Sequence, residues 1–182
     1  MSERADAKGG RGIGRLGRDW DDLDEHDVGE EELKLAGFFV GGGLYGIDIM
    51  RIKEVLQARP YPIRPVPHAP AMIEGVIELR GVVIPVVDLR KRFGVDADGT
   101  LERVNKLIIV SVRGRIVGLK VDKVLGELRV PVKAIRPAPS MLSGAGLGDG
   151  GAPDAFFSGV CKVEENVVFV VNLEGMLGGR SS

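Results

Sequence analysis

This sequence predicts an all-β chain built as two similar small barrels in tandem, and three observations predict it. The first is residues 75–89, where two apolar runs rich in β-branched residues, Val76-Ile77-Glu78-Leu79 and Val82-Val83-Ile84-Pro85-Val86-Val87, flank the dipeptide Arg80-Gly81. That pattern reads as a tight β-hairpin, with Gly81 supplying the backbone freedom a two-residue turn needs. The second is its recurrence: Gly159-Val160-Cys161-Lys162-Val163, Glu164-Glu165-Asn166 and Val167-Val168-Phe169-Val170-Val171 align with it at an offset of 84 without a gap. The third lies upstream, where Gly46-Ile47-Asp48-Ile49 and Ile63-Arg64-Pro65-Val66-Pro67 answer Gly118-Leu119-Lys120-Val121 and Ile135-Arg136-Pro137-Ala138-Pro139 at an offset of 72. The 12-residue difference falls around the glycine-rich residues 143–153, a loop insertion in the second copy. Two approximate copies are too few for a solenoid.

The copies divide the chain into a charged tail (residues 1–32), a folded region (33–178) and a frayed end (179–182). Within the folded region the first barrel spans about 33–95 and the second about 104–177, with strand exchange between them permitted. The tail holds 11 acidic and 5 basic side chains, and nothing in it can bury enough apolar surface to offset the entropy of ordering it. Gly12-Ile13-Gly14-Arg15-Leu16-Gly17 matches a dinucleotide-binding glycine pattern, but it follows no strand and opens no helix, so nucleotide binding is not expected. Trp20, the single tryptophan, stands in an acidic run with Leu23 close by. It reads either as an exposed tail residue or as a short linear motif that folds back on the basic domain or docks another protein.

Strands are expected at residues 35–40, 44–49 and 52–56, with Gly41-Gly42-Gly43 as the first turn and Met50-Arg51 as a break. In Tyr45-Gly46-Ile47-Asp48-Ile49 the odd positions are apolar, as in a half-buried strand. Five prolines between residues 58 and 72 make an extended, poorly paired crossover. After the central hairpin, Asp88 is placed to cap a short helix, Leu89-Arg90-Lys91-Arg92-Phe93, that Gly94 ends. The basic cluster Arg90, Lys91 and Arg92 reads as a solvated helix face. The second copy repeats these elements through residues 106–112, 116–121 and 124–130, its own hairpin, and a closing helical turn at residues 172–177.

Composition narrows the function. The folded region carries a net charge of about +5 on 150 residues, too small a surplus to argue for nucleic acid. No apolar run is long enough to span a bilayer and no secretory signal is present, so a cytoplasmic protein without direct membrane insertion is expected. Cys161 is the only cysteine, which excludes an internal disulfide; it matches Ile77 and reads as an inward-facing core residue. His26 and His68 have no partners at ligand spacing, so neither a metal site nor a cofactor is expected. An enzyme is disfavoured because no Cys/His or Ser/His arrangement, recognisable carboxylate pair or phosphate-cradling loop is present.

The ordered motifs Tyr45-Gly46-Ile47-Asp48-Ile49, Glu54-Val55, Pro65-Val66-Pro67, Gly75-Val76-Ile77-Glu78-Leu79-Arg80-Gly81, Ile84-Pro85-Val86-Val87-Asp88-Leu89 and Val121-Asp122-Lys123-Val124 resemble the CheW family of bacterial chemotaxis coupling proteins. The resemblance covers about residues 33–178. It implies an all-β fold of two tandem five-stranded SH3-like barrels with short helices. It also implies a non-enzymatic adaptor that joins chemoreceptor cytoplasmic tips to the regulatory domain of a CheA-type histidine kinase, in receptor arrays that permit self-association. One barrel would dock the kinase domain and the groove between barrels would hold the receptor helix tip. A chemotaxis-like pathway for pilus or gliding motility is the alternative setting, whereas a fused receiver domain has no room in this length. The partner-binding positions implied are Ile52, Glu54, Val55, Gly75, Arg80 and Val82. The family pattern usually has Asn where this chain has Glu78, which puts an acid on the strand face of Arg80, placed to tether it or alter receptor preference.

Overall fold

The structure is a computed structural model that describes residues 31–95, 106–138 and 156–178. The charged tail with its glycine pattern and Trp20, the link between the copies, the glycine-rich insertion and the frayed end therefore lie outside the described residues, apart from Glu31 and Glu32. Among the described residues ten strands carry the fold: β1 (Glu32–Val40), β2 (Gly43–Asp48), β3 (Ile52–Gln57), β4 (Ile73–Leu79), β5 (Val82–Asp88), β6 (Lys106–Val112), β7 (Arg115–Val121), β8 (Lys123–Pro131), β9 (Phe157–Val163) and β10 (Asn166–Val171). Two short helices, α1 (Leu89–Phe93) and α2 (Leu173–Leu177), follow β5 and β10.

Side-chain alternation sets each strand's orientation. In β4, Gly75, Ile77 and Leu79 are buried while Glu78 between them is exposed, and Cys161 is buried in β9 at the position matching Ile77. Burial raises the Cys161 thiol pKa above its ordinary value, in keeping with a core residue. Arg80 and Gly81 both take positive φ (50° and 79°), which closes the Leu79–Val82 pair with a primed two-residue turn. Asp88 Oδ1 accepts a hydrogen bond from the Arg90 N–H, and Gly94 adopts the left-handed conformation that ends α1.

The strands form two five-stranded sheets, with orders β8-β1-β2-β10-β9 and β3-β6-β7-β5-β4. These are not consecutive halves of the chain, so the boundaries 33–95 and 104–177 do not separate the barrels. The copies exchange strands reciprocally. The end of β5 pairs in parallel with β7 (Val86 opposite Gly118), and the end of β10 pairs in parallel with β2 (Val170 opposite Gly46). The same offsets of 84 and 72 relate these two pairings. Local alternation specifies which face of a strand is buried, but not which distant strand lies beside it.

The repeat holds in fine detail. Arg64 bridges Val76 and Arg136 bridges Val160, and the Asp88 and Asn172 N–H groups donate to the carbonyls of Met72 and Phe156. At Gly75 a Cβ atom would fall on the Arg64 carbonyl, and at Gly159 it would lie 2.7 Å from the Arg136 carbonyl oxygen. Both glycines therefore admit a passing backbone.

The largest buried cluster joins the two sheets, with Phe38, Val40 and Ile47 from one side, Ile108, Val110 and Leu119 from the other, and Leu89, Leu173 and Met176 from the helices. Smaller clusters fill each barrel, Leu35, Val130, Cys161 and Val168 in one and Ile77, Ile84, Val86 and Leu107 in the other. The basic cluster on α1 departs from its expected role. Arg90 pairs with Asp122, which is 2% exposed, while Arg92 Nε donates to the Met176 carbonyl and its guanidinium lies over the Phe156 ring. Only Lys91 stays exposed, because α1 packs into the junction between barrels instead of lying on its rim.

Candidate partner-binding site

The site is built where β3 and β4, the two ends of their sheet's strand order, face each other without a ladder. The β4–β5 turn carries Arg80 to the rim, and its guanidinium donates two parallel hydrogen bonds of 2.7 Å to Glu54 on β3. Two matched bonds in one plane fix the guanidinium as a single charge contact cannot. The Arg80 side chain remains 70% exposed and that of Glu54 26%. Hydrogen bonding from Arg80 holds the Glu54 carboxyl below its usual pKa, and the same bonds raise that of Arg80. Glu78, the acid nearest in sequence, is not the partner. It is exposed on β4, and the acid that tethers Arg80 comes from a different strand.

The remaining predicted positions divide by location. Val55 follows Glu54 in β3 and points to the opposite, solvent-facing side, and Val82 stands exposed immediately after the Arg80-Gly81 turn. Ile52 is half-buried against the inter-barrel core, and Gly75 is buried beneath the Arg64 carbonyl. The structure thus brings Glu54, Arg80 and Val82 to one rim, and sets Ile52 and Gly75 behind it as packing positions.

The internal repeat acts as a control on this rim. In the other barrel the positions matching Glu54 and Arg80 are Gly126 and Glu164, which cannot form the pair. That barrel has the same strand pairings at the same registers, including Gly37 opposite Gly126 where Ile109 stands opposite Glu54. The pair is therefore not required to build a barrel of this design, and it marks one of the two rims as chemically distinct.

Among the described residues, two hollows adjoin the β4–β5 hairpin and share Val83. One, of about 410 Å³, is lined by Tyr61, Pro62, Arg64, Glu78, Arg80 and Val83, among others. The second, of about 770 Å³, is an open groove whose lining includes Val82, Val83, Arg113, Arg115, Ile116 and Leu177. Val83, shared by both, is 64% exposed and Ile116 40%. Exposed aliphatic side chains rimmed by arginines suit an apolar segment of a partner that carries acidic groups. Val83, Ile116, Arg113 and Arg115 were not among the predicted positions. The signal that could have found them is the outward phase of β5 and β7 alternation, where an apolar residue stands at a solvent-facing position.

Further ion pairs escaped sequence reading because their partners are far apart in the chain, among them two that anchor the helices and one between Lys120 and Glu74. Asp122 pairs with Arg90 and accepts a 2.7 Å hydrogen bond from the Gly41 N–H, tying α1 of one copy to the β1–β2 turn. Arg51 pairs with Glu174 on α2, whose carboxyl is held low first by a hydrogen bond from its own backbone and then by Arg51. Among the described residues no three His, Cys, Asp or Glu side chains are grouped as a metal site would need, and no helix is long and apolar enough to cross a membrane. What the rim offers is recognition: charge, apolar surface and hollows.

The CheW-like domain family model matches residues 34–180. The chain is 35% identical over 144 residues to the chemotaxis protein CheW of Rhizobium meliloti, covering 79% of this chain and 86% of that one. It is similar in structure to the scaffolding protein TtCheW from Thermoanaerobacter tengcongensis, with a TM-score of 0.70 and 30% identity over 84% of this chain and 97% of that one. A shorter similarity, 31% over 115 residues, links 61% of this chain to 16% of the chemotaxis protein CheA of Salmonella typhimurium.

Proposed function

The chain belongs to the CheW family, and from that premise we propose that it is a non-enzymatic adaptor coupling chemoreceptors to a CheA-type histidine kinase in a chemosensory array. The likeness to a segment of a CheA protein supports the kinase as one partner. On this reading the chain works in the cytoplasm, reaching membrane-bound receptors through its partners, and needs no cofactor. The kinase contact is with the regulatory domain and the receptor contact is with the cytoplasmic helix tip. Rings with kinase domains or with further copies follow where both barrels are engaged.

One observation carries the choice of contact surface. The exposed Arg80–Glu54 pair, with Val82 beside it, occurs on one barrel rim and has no counterpart at the matching positions of the other. Arginine, with tryptophan and tyrosine, is among the residue types enriched in the few positions that carry most of the binding energy in protein interfaces. An amphipathic receptor helix would lay its apolar face on the aliphatic groove beside this rim. The test is reconstitution of kinase with receptor-bearing membranes, following transfer of phosphate to the kinase's histidine. Receptor-dependent phosphorylation should require the chain and fall with Arg80→Ala. Full receptor control of the kinase without the chain would remove the adaptor reading.

A further inference from the structure

The open groove has a filled twin. Under the offsets that relate the two copies, its lining residues Val117, Pro85 and Leu177 stand where the other barrel has Tyr45, Phe169 and Phe93. Those three are aromatic and packed together, Tyr45 on Phe93 with ring centroids 4.7 Å apart and on Phe169 at 5.8 Å. The chain leaving α1 completes the filling, since Val95 packs where a side chain on Gly41 would lie. In the open groove the residue matching Gly41 is Arg113, and the residue that matches Val95 in sequence, Gly179, lies outside the described residues. One hollow of the pair is thus closed by aromatic side chains and its own chain, and the other has lost all three aromatics and gained Arg113 and Arg115 at its lip. Its acidic wall residue, Glu174, is already paired with Arg51.

We propose that residues 19–25 of this chain, Asp19-Trp20-Asp21-Asp22-Leu23-Asp24-Glu25, dock intramolecularly in this groove, with the Trp20 indole on Val83, Ile116 and Leu177. The aspartates on either side of Trp20 face Arg113 and Arg115. The chemistry matches at both levels: an indole replaces missing aromatic volume in a site whose twin is packed with rings, and acids meet an arginine lip. The reach is sufficient. Trp20 precedes Glu32 by 12 residues, which span roughly 40 Å when extended. A docked tail competes with any partner for this surface, and that consequence alone rests on the adaptor reading.

Trp20, as the single tryptophan, reports its own environment. The experiment is acrylamide quenching and emission wavelength of the full chain, alongside the double variants Arg113→Glu/Arg115→Glu and Asp19→Asn/Asp21→Asn. The second leaves every described residue unchanged. Docking predicts blue-shifted, protected emission in the natural chain that is independent of protein concentration, and a several-fold higher quenching constant in both variants with unchanged far-ultraviolet dichroism. Emission and quenching of the natural chain at the level of free tryptophan would overturn the proposal, as would protection that persists in both variants. Protection that grows with concentration would assign the groove to a second copy's tail and overturn it equally. None of these readouts depends on kinase or receptor.

Discussion

Arg80 at the tip of the β4–β5 hairpin holds Glu54 on β3 through two bonds of 2.7 Å, across the one place in its sheet where no strand ladder joins the neighbours. The contact closes a seam and at the same time presents a rigid arginine to solvent. Its pH behaviour follows from the direction of the Glu54 shift. The folded pKa of Glu54 lies below its unfolded value. What the pair contributes is therefore complete above the unfolded pKa and is lost as pH falls through the folded one. Carboxyl titration by NMR should place Glu54 below the ordinary glutamate value of about 4.3, and Arg80→Ala should return it upward. A Glu54 that titrates alike in both proteins would show that the pair does not persist in solution.

Gly75→Ala should destabilise the fold, because the added methyl collides with the Arg64 carbonyl, a backbone atom held by the Arg64–Val76 bridge. Overpacking of this kind costs roughly 1–3 kcal/mol, read as a lower denaturant midpoint at unchanged slope. Gly159→Ala should behave alike against the Arg136 carbonyl. Loss of partner binding with undiminished stability would instead move Gly75 from packing to contact.

Reciprocal strand exchange makes each copy incomplete alone. Residues 1–100 contain only two strands of one sheet and three of the other, and the rest of the chain contains the complement. Expressed separately, the two pieces should lack cooperative unfolding; mixed, they should regain the dichroism and single transition of the intact chain. Two independently folded pieces would contradict the exchange.

Asp122→Ala should be more damaging than any surface substitution. It strands Arg90, whose side chain is 11% exposed, and removes the acceptor of the Gly41 N–H. Removing one partner of a buried pair costs about 3–5 kcal/mol, so chemical denaturation should show a large loss of stability.

Much of this architecture was legible. The Arg80-Gly81 hairpin, the capping role of Asp88, the inward Cys161 and the two-copy repeat all follow from local periodicity and turn chemistry. The strand exchange was not legible as a certainty, since β5 meets β7 by an encounter between distant segments that alternation does not encode. For the same reason Glu78 looked like the natural tether of Arg80, and the tether proved to be Glu54, 26 residues away. The α1 arginines looked solvated because nothing local announces that Asp122 will arrive beside Arg90. At the candidate site the family pattern named Glu54 and Arg80 singly but not as partners, and the aliphatic groove formed by β5 and β7 required their parallel pairing to be seen.

The central claim is that this chain is the link to a kinase. Its most direct test is titration calorimetry of the full chain against the regulatory domain of each CheA-type kinase encoded by its own organism. Saturable binding to one of them is the predicted result. No binding to any of these domains, each shown to be folded, would contradict the account.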